Sequence, residues 1–231
     1  MSLDLSDKVV AITGAFGSLG SAVAAAVQDG GGRLALLDQA GTAPAGLTDP
    51  LLLGQVDLSS PEITRAAFAA IVQRFGRLDA LVNVAGAFRW ESLEAGTVDT
   101  WDLLYNVNLR TAVNTSRAAL PHLLQQTESR IVNVGAGAAT RAEAGMGAYA
   151  ASKSGVARLT EALSEECKDR GLTVNAVLPS IIDTPANRAA MPQADFARWV
   201  SPRQVAELIV FLLSQRAAAI TGASIPVSGR V

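Results

Sequence analysis

The chain has 231 residues, of which 49% are hydrophobic, and its formal net charge at pH 7 is −2. This length favours a single α/β domain with a large buried core, which we expect to span residues 1–231. The small negative charge argues against nucleic acid or an anionic membrane as a partner, because both are bound by strongly basic surfaces.

The chain contains one cysteine and one histidine, so no internal disulfide can form and we expect no metal site. Residues Met1 to Asp4 show no basic segment followed by an apolar run, and no apolar stretch is long enough to span a bilayer. We therefore expect a cytoplasmic protein.

The first two predicted elements enclose a glycine-rich loop. Residues 8–13 form an apolar, β-branched run typical of a buried strand, and residues 21–29 have a helical pattern. Glycine in such a loop lets the backbone approach a pyrophosphate, and the helix N-terminus supplies free N–H groups. The pattern predicts a phosphate site or, alternatively, only a tight turn, at Gly14, Gly17, Ser18, Leu19 and Gly20.

A second strand is predicted over residues 33–37, and Asp38 follows it directly. Asp38 lies 24 residues beyond Gly14, close to the spacing of a carboxylate that binds the adenosine ribose of NAD. The alternative is a solvated turn residue.

Strands and helices continue to alternate along the chain. We predict strands at 51–56, 78–84, 130–134, 172–178 and 224–227, helices at 61–75, 98–124, 149–170 and 202–214, and an irregular segment at 180–200. This order predicts an α/β fold with a single Rossmann-type, doubly wound parallel sheet and helices on both faces. Ligands of such sheets bind beyond the carboxyl ends of the strands, where we place Gly14, Asp38, Asp57, Asn83, Ala136 and Pro179.

Tyr149 and Lys153 stand four residues apart at the start of a predicted helix, so they share one helix face. An ammonium group beside a phenol lowers the phenol pKa from about 10, which would let Tyr149 transfer a proton near neutral pH. The alternative is a chance pair on a solvated face.

Taken together, these motifs resemble the short-chain dehydrogenase/reductase family over nearly the whole chain. Residues 13–20 are similar to its cofactor loop, 83–86 to its Asn-Asn-Ala-Gly segment, and 179–184 to its nicotinamide loop. The resemblance implies an NAD-dependent oxidoreductase that transfers hydride to or from a small carbonyl or imine-type substrate. It also implies a homodimer or homotetramer, formed through helices between residues 98 and 170.

The same resemblance assigns roles to individual residues. Tyr149 would be the catalytic acid/base, Lys153 its partner and a ligand of the nicotinamide ribose, and Asn108 part of a water relay. The implied cofactor-binding residues are Gly14, Gly17, Ser18, Leu19, Gly20, Asp38, Asp57, Leu58, Asn83, Ala85, Gly86, Tyr149, Lys153, Pro179, Ile182 and Thr184.

Three positions depart from the family pattern: Ser18 and Ser180 replace glycines, and Ala136 replaces the catalytic serine. Ala136 cannot donate a hydrogen bond to an oxyanion, and losing one such donor typically costs about 2.7–4 kcal/mol in the transition state. The quinonoid dihydropteridine reductases share this alanine, and residues 177–179, 183–188 and 191–196 resemble theirs, whereas Asn108 and residues 85–90 resemble ordinary carbonyl reductases.

Two alternatives to a carbonyl reductase therefore stay open: a quinonoid dihydropteridine reductase, and an inactive NAD-sensing or scaffold protein. Four large side chains line the pocket in one interpretation and belong to the core or an interface in the other: Phe88, Trp90, Met146 and Trp199.

Overall fold

The computed structural model describes residues 4–231, which contain one seven-stranded parallel sheet with the order β3-β2-β1-β4-β5-β6-β7. The strands are β1 (Val9–Thr13), β2 (Arg33–Leu37), β3 (Leu51–Leu53), β4 (Ala80–Asn83), β5 (Ser129–Val134), β6 (Leu172–Pro179) and β7 (Ser224–Val227). The strand order reverses between β1 and β4, so the predicted doubly wound sheet is confirmed. The expectation about the N-terminus concerns mainly residues 1–3, which lie outside the described residues.

Helices cover both faces of the sheet. They are α1 (Ser18–Asp29), α2 (Pro61–Phe75), α3 (Val98–Leu104), α4 (Thr111–Leu123), α5 (Gly147–Cys167), α6 (Pro185–Ala190) and α7 (Pro202–Leu213). On one face α1 and α7 pack around Val23 and Ile209, and on the other α2, α4 and α5 pack around Phe68 and Leu123. Each face therefore has its own apolar core.

The register of the central strands determines which residues lie together at the carboxyl edge of the sheet. Thr13 pairs with both Leu37 and Asn83, and Asn83 pairs with Asn133. The residues that follow these strand ends therefore come together at one edge of the sheet, as parallel pairing requires.

The predicted helix over 98–124 is wrong as one continuous element. A six-residue π-helix, Tyr105–Arg110, separates α3 from α4. π-bulges insert an extra residue into a helical turn and frequently occur at functional sites. Here the π-helix contains Asn108, whose buried side chain forms hydrogen bonds with the backbone of Ala87 in the segment after β4.

Several predicted boundaries also differ from those in the structure. The predicted helix 149–170 begins earlier, at Gly147, and ends at Cys167, followed by a 3₁₀ turn. The predicted strand 51–56 stops at Leu53, before Gln55, whose φ of 58° is incompatible with an extended strand.

The segment over 180–200 is not wholly irregular, because it contains α6. The Thr184 side chain caps this helix by accepting from the Asn187 N–H, and Pro185 occupies the first turn. α2 begins in the same way, with the Ser60 side chain accepting from the Ile63 N–H and Pro61 in the first turn. None of the helices described between residues 4 and 231 combines the length and apolar character needed to cross a membrane.

Candidate active site

A cavity of about 800 Å³ opens at the carboxyl edge of the sheet. It brings together most of the residues selected from the sequence: Gly14, Gly17, Ser18, Leu19, Gly20, Asp38, Asp57, Leu58, Ala85, Gly86, Ala136, Tyr149, Lys153, Pro179, Ile182 and Thr184. The lining does not include Asn83 or Asn108, which lie beneath it.

The glycine loop is built so that its backbone can be approached closely. Gly14 has a φ of 61°, and a Cβ there would lie 2.8 Å from the Ala85 backbone; a Cβ at Gly20 would collide with the Gly14 carbonyl. Gly17 caps α1 without any side chain to accept from the first-turn N–H groups. Those N–H groups therefore remain available to phosphate oxygens at the positive end of the helix dipole. This cradle fits the diphosphate of a dinucleotide.

Asp38 connects the glycine loop to the turn after β2. Its Oδ2 accepts from the Phe16 N–H at 2.8 Å, and its Oδ1 accepts from the Ala40 N–H at 2.9 Å. The carboxylate is half-buried at the cavity wall, where it can also accept from a ribose hydroxyl. Asp38 therefore shapes the loop as well as the ligand surface, a role that its spacing did not reveal.

Asp57 lies farther along the same wall. Its Oδ1 accepts from both the N–H and the hydroxyl of Ser59, and the hydroxyl bond is the main cause that holds the Asp57 pKa below its usual value. Among the lining residues in the described part of the chain, Lys153 is the only basic one. The wall near Asp38 and Asp57 therefore favours hydroxyl donors over anions.

The Asn83 side chain lies in a buried polar network and not at the cavity surface. Its Nδ2 donates to Asn133 Oδ1 at 2.9 Å, and its Oδ1 accepts from the Thr115 hydroxyl at 2.7 Å. Since these bonds occupy the amide, Asn83 supports the cavity floor by linking β4 to β5 and α4.

Asn108 also supports the floor. Its Oδ1 accepts from the Ala87 N–H at 2.8 Å, and its Nδ2 donates to the Ala87 carbonyl at 3.0 Å and to Ser152 Oγ at 2.9 Å. The Asn108 side chain is thus fully engaged in fixing the segment after β4 against α5.

Tyr149 and Lys153 project from the first turns of α5 into the cavity, but their pKa values move opposite to expectation. Burial raises the pKa of Tyr149 to about 12 and lowers that of Lys153 to about 8. The expectation of a lowered Tyr149 pKa is therefore wrong, because desolvation of the charged forms dominates. The Lys153 Nζ donates to the Val134 carbonyl at 2.8 Å. Near pH 7 the pair therefore consists of a protonated phenol and an ammonium group that loses its proton just above neutrality.

The space above Lys153 is left open by Gly86. A Cβ at Gly86 would lie 2.7 Å from Asn108 Oδ1 and 3.2 Å from Lys153 Nζ, so a side chain would press on both groups. The missing side chain gives a ligand hydroxyl access to the ammonium.

The four large side chains whose roles the sequence did not decide occupy different positions in the structure. Phe88 lines the cavity and Trp199 is buried, whereas Trp90 is exposed outside the lining and Met146 is also outside it. Sequence reasoning missed other lining residues, which come from loops, from the π-helix and from α3, α4 and α6, namely Phe16, Gln39, Ser59, Leu103, Asn106, Val107, Thr111 and Asn187. The Thr184–Pro185 cap was the one local signal that could have indicated the position of Asn187.

Comparisons with known proteins agree with this geometry. Residues 14–229 match the family model described as enoyl-(acyl carrier protein) reductase. The 3-oxoacyl-[acyl-carrier-protein] reductase FabG of Vibrio cholerae is 31% identical over 241 residues, covering 98% of each chain. The 2-(S)-hydroxypropyl-CoM dehydrogenase 3 of Xanthobacter autotrophicus is 32% identical over 250 residues, covering 99% of this chain and 98% of the relative.

Two solved structures are similar over the full length of this chain. The aldohexose dehydrogenase of Thermoplasma acidophilum superposes with a TM-score of 0.89 at 28% identity, covering 100% of this chain and 96% of its own. A short-chain dehydrogenase from Mycobacterium smegmatis gives a TM-score of 0.87 at 30% identity, covering 100% of this chain and 95% of its own.

Proposed function

The chain belongs to the short-chain dehydrogenase/reductase family, a family of oxidoreductases that use a nicotinamide cofactor, and we propose that it reduces a small carbonyl or imine-type compound with NADH. The observation that carries the proposal is that one cavity is lined by the glycine loop, by Asp38, and by the Tyr149–Lys153 pair. A phosphate cradle, a ribose acceptor and a proton donor in one cavity suit hydride transfer from a dinucleotide.

Asp38 supports NADH as the cofactor in preference to NADPH. Its carboxylate can accept from the ribose 2′-OH of NADH, but it would face the 2′-phosphate of NADPH. At about 4 Å this repulsion is on the order of 1–4 kcal/mol per unit charge. Lys153 donates to the end of β5, and no other lining residue in the described chain is basic, so the 2′-phosphate would find no lining cation beside Asp38.

The mechanism follows from the protonation states of the pair. Bound NADH would supply the hydride to the electrophilic carbon. The protonated phenol of Tyr149 would donate its proton to the substrate oxygen or nitrogen, and Lys153 would hold the nicotinamide ribose. Asn108 acts from beneath by fixing Ala87, and the Tyr149 phenolate regains its proton from solvent.

Cofactor titration by calorimetry tests the proposal. We expect NADH to bind at least about tenfold tighter than NADPH, because a repulsion of about 1.4 kcal/mol already corresponds to a factor of ten in affinity. Asp38→Asn removes the charge and keeps one oxygen for the Phe16 N–H, while the bond to the Ala40 N–H is lost, so it should narrow the affinity difference between NADH and NADPH and retain the attachment of the glycine loop. Equal affinities in the unmodified protein would show that Asp38 does not select the cofactor.

Ala136 favours a second candidate, reduction of a quinonoid dihydropterin. Ala136 lines the cavity and offers no hydroxyl to an oxyanion. A conjugated ring needs this donor less than an isolated carbonyl does, because no localised alkoxide forms beside Tyr149. NADH oxidation should therefore be screened with quinonoid dihydropterin and with simple ketones. Turnover of neither, with NADH still bound, would leave the sensor or scaffold alternative.

The Ala136→Ser variant separates the two substrate classes. A restored donor should raise kcat for ketones, by up to the roughly 10²-fold scale of one oxyanion-hole donor. The same change should be neutral or harmful for the pterin. A large gain with the pterin would contradict this account of Ala136.

A further inference from the structure

Phe88 presents an aromatic ring to the cavity directly beside Tyr149. The two ring centroids lie 5.0 Å apart with an interplanar angle of 88°, an edge-to-face arrangement. Phe88 lines the cavity and is 56% exposed, so much of its ring is free to contact a ligand. An exposed aromatic ring at the position of proton transfer is an apolar surface that a ligand can cover.

The segment that carries Phe88 is fixed on both sides. Before it, Ala87 is held through its N–H and carbonyl by Asn108. After it, the Trp90 indole donates to the Ala144 carbonyl at 3.0 Å, and the Glu91 N–H donates to the Gly145 carbonyl at 2.8 Å.

Gly145 makes the second attachment possible. Its φ is 75°, and a Cβ at this position would collide with the Trp90 indole, so only glycine admits the ring here. With both flanks attached, Phe88 is positioned before a ligand arrives, and little ordering entropy is lost on binding.

The charges around the cavity limit what can bind against Phe88. The charged lining residues are Asp38, Asp57 and Lys153; Asp38 and Asp57 already accept backbone N–H groups, and Lys153 already donates to Val134. A phosphate or carboxylate on the substrate would find no free cation in the lining. Burying a charge without a partner is strongly unfavourable.

Part of the remaining lining offers apolar surface to the same ligand. Ala87, Ala136, Leu103, Val107 and Ile182 contribute side chains without polar atoms. The absent serine hydroxyl at Ala136 removes one more polar group from this wall.

We propose that Phe88 is a specificity-determining residue, and that the substrate is an uncharged compound whose planar unsaturated ring packs on Phe88 with its reducible carbonyl at Tyr149. This inference rests on the proposed function. In the reaction, hydride from NADH forms the new C–H bond, the C=O π bond breaks, and its oxygen takes the Tyr149 proton. The products are an alcohol and NAD⁺, and water reprotonates Tyr149.

Binding of two amides that resist reduction tests the ring preference without turnover. Benzamide and cyclohexanecarboxamide have similar size and no charge, and only benzamide is planar. Calorimetric titration with and without NADH should show tighter binding of benzamide. Phe88→Leu should reduce the ratio of the two affinities by about two- to twelvefold, which corresponds to the interaction energy of one aromatic pair.

Tyr105→Leu is the matched control, because Tyr105 is 52% exposed and lies outside the lining. Tyr105→Leu should leave the preference for benzamide over cyclohexanecarboxamide unchanged. In the unmodified protein, 4-carbamoylbenzoate, which adds a carboxylate to benzamide, should bind at least about tenfold more weakly than benzamide. The proposal is overturned if neither titration shows a preference, if Phe88→Leu leaves it intact, or if the carboxylate binds as well as benzamide.

Turnover of acetophenone and cyclohexyl methyl ketone separates this proposal from the proposed function. The ratio of their kcat/KM values in Phe88→Leu, relative to the unmodified protein, cancels their different intrinsic reactivities. Turnover of both with an unchanged ratio would reject the role of Phe88 and leave the reductase standing. A benzamide preference that Phe88→Leu reduces, without turnover of either ketone by the unmodified protein, would support the ring site and reject the carbonyl reductase.

Discussion

Burial determines the protonation of the two central side chains. With a pKa of about 12, Tyr149 keeps its proton throughout the neutral range, so it is in the protonated form that a general acid needs. With a pKa of about 8, Lys153 changes charge just above neutrality, so the proposed interaction of Lys153 with a ribose hydroxyl would depend on pH.

Replacing Tyr149 by Phe should lower kcat by at least about 10²-fold, the usual scale for a lost general acid. NADH affinity should stay within a few-fold, since only one hydroxyl is removed. Steady-state kinetics and cofactor titration measure the two effects. Tyr105→Phe removes a hydroxyl outside the cavity and should change neither. Comparable turnover in Tyr149→Phe would remove Tyr149 from the mechanism.

Lys153 should make stability depend on pH. Its pKa of about 8 in the folded state lies below the ordinary 10.5, so the unfolded chain binds more protons between these values and stability rises with pH there. From pH 8 to 10 the unmodified protein should gain about 2 kcal/mol relative to Lys153→Met. Above pH 10 the raised pKa of Tyr149 acts in the opposite direction.

Urea denaturation at a series of pH values, without cofactor, measures this gain. Lys168→Met is the control, because Lys168 is exposed and its bond to Glu165 raises its pKa. The Lys168 variant should show no such gain between pH 8 and 10. A flat difference between the unmodified protein and Lys153→Met would mean that Lys153 is not desolvated in solution.

Spacing along the chain predicted which residues face the cavity. It was less successful in predicting the hydrogen-bond partners of each side chain. Gly14, Asp38 and Tyr149 follow local signals, namely a strand end, a spacing and a helix start. Asn83 was assigned to the cofactor, but its partners Thr115 and Asn133 lie 32 and 50 positions away, on other elements. Local patterns contain no information about such partners.

At the scale of elements, the helix between β4 and β5 shows what periodicity omits. The apolar pattern is continuous from 98 to 124, yet the π-helix interrupts it where Asn108 reaches Ala87. The π-helix contains Asn108, which bonds Ala87 and Ser152, and the same segment places Asn106 and Val107 in the cavity lining.

The glycine loop allows a matched test at this scale. Gly20→Ala would press its Cβ against the backbone of Gly14 and Ala15, whereas the nearest atom to a Cβ at Gly17 is 3.6 Å away, an ordinary contact. We expect Gly20→Ala to weaken NADH binding at least about tenfold. The loop must shift to relieve the collision, and the shift would move its N–H groups out of hydrogen-bond geometry with the phosphates. Gly17→Ala should stay within a few-fold. Calorimetry measures both, and equal losses would show that steric room at Gly20 does not control the loop.

At the scale of the whole molecule, the alternation of strands and helices predicted the sheet because each parallel crossover needs a covering helix. The same reasoning does not identify which helix faces remain uncovered. The structure leaves apolar side chains exposed on α3 outside the cavity lining, namely Val98 at 74% and Trp101 at 40%. Such a patch is typical of protein interfaces, and it lies within residues 98–170, where the family resemblance implies contact with a second subunit.

We expect the protein to sediment as a homodimer or homotetramer, with α3 in the interface. Trp101→Glu places a charge in the apolar patch and should shift the distribution toward smaller species, because an unpaired charge is costly to bury. Ile63→Glu is the control, since Ile63 on α2 is 45% exposed but lies outside residues 98–170. Sedimentation velocity resolves the species, and far-ultraviolet circular dichroism verifies that both variants are folded. A monomeric unmodified protein, or equal dissociation by the two variants, would contradict an interface at α3.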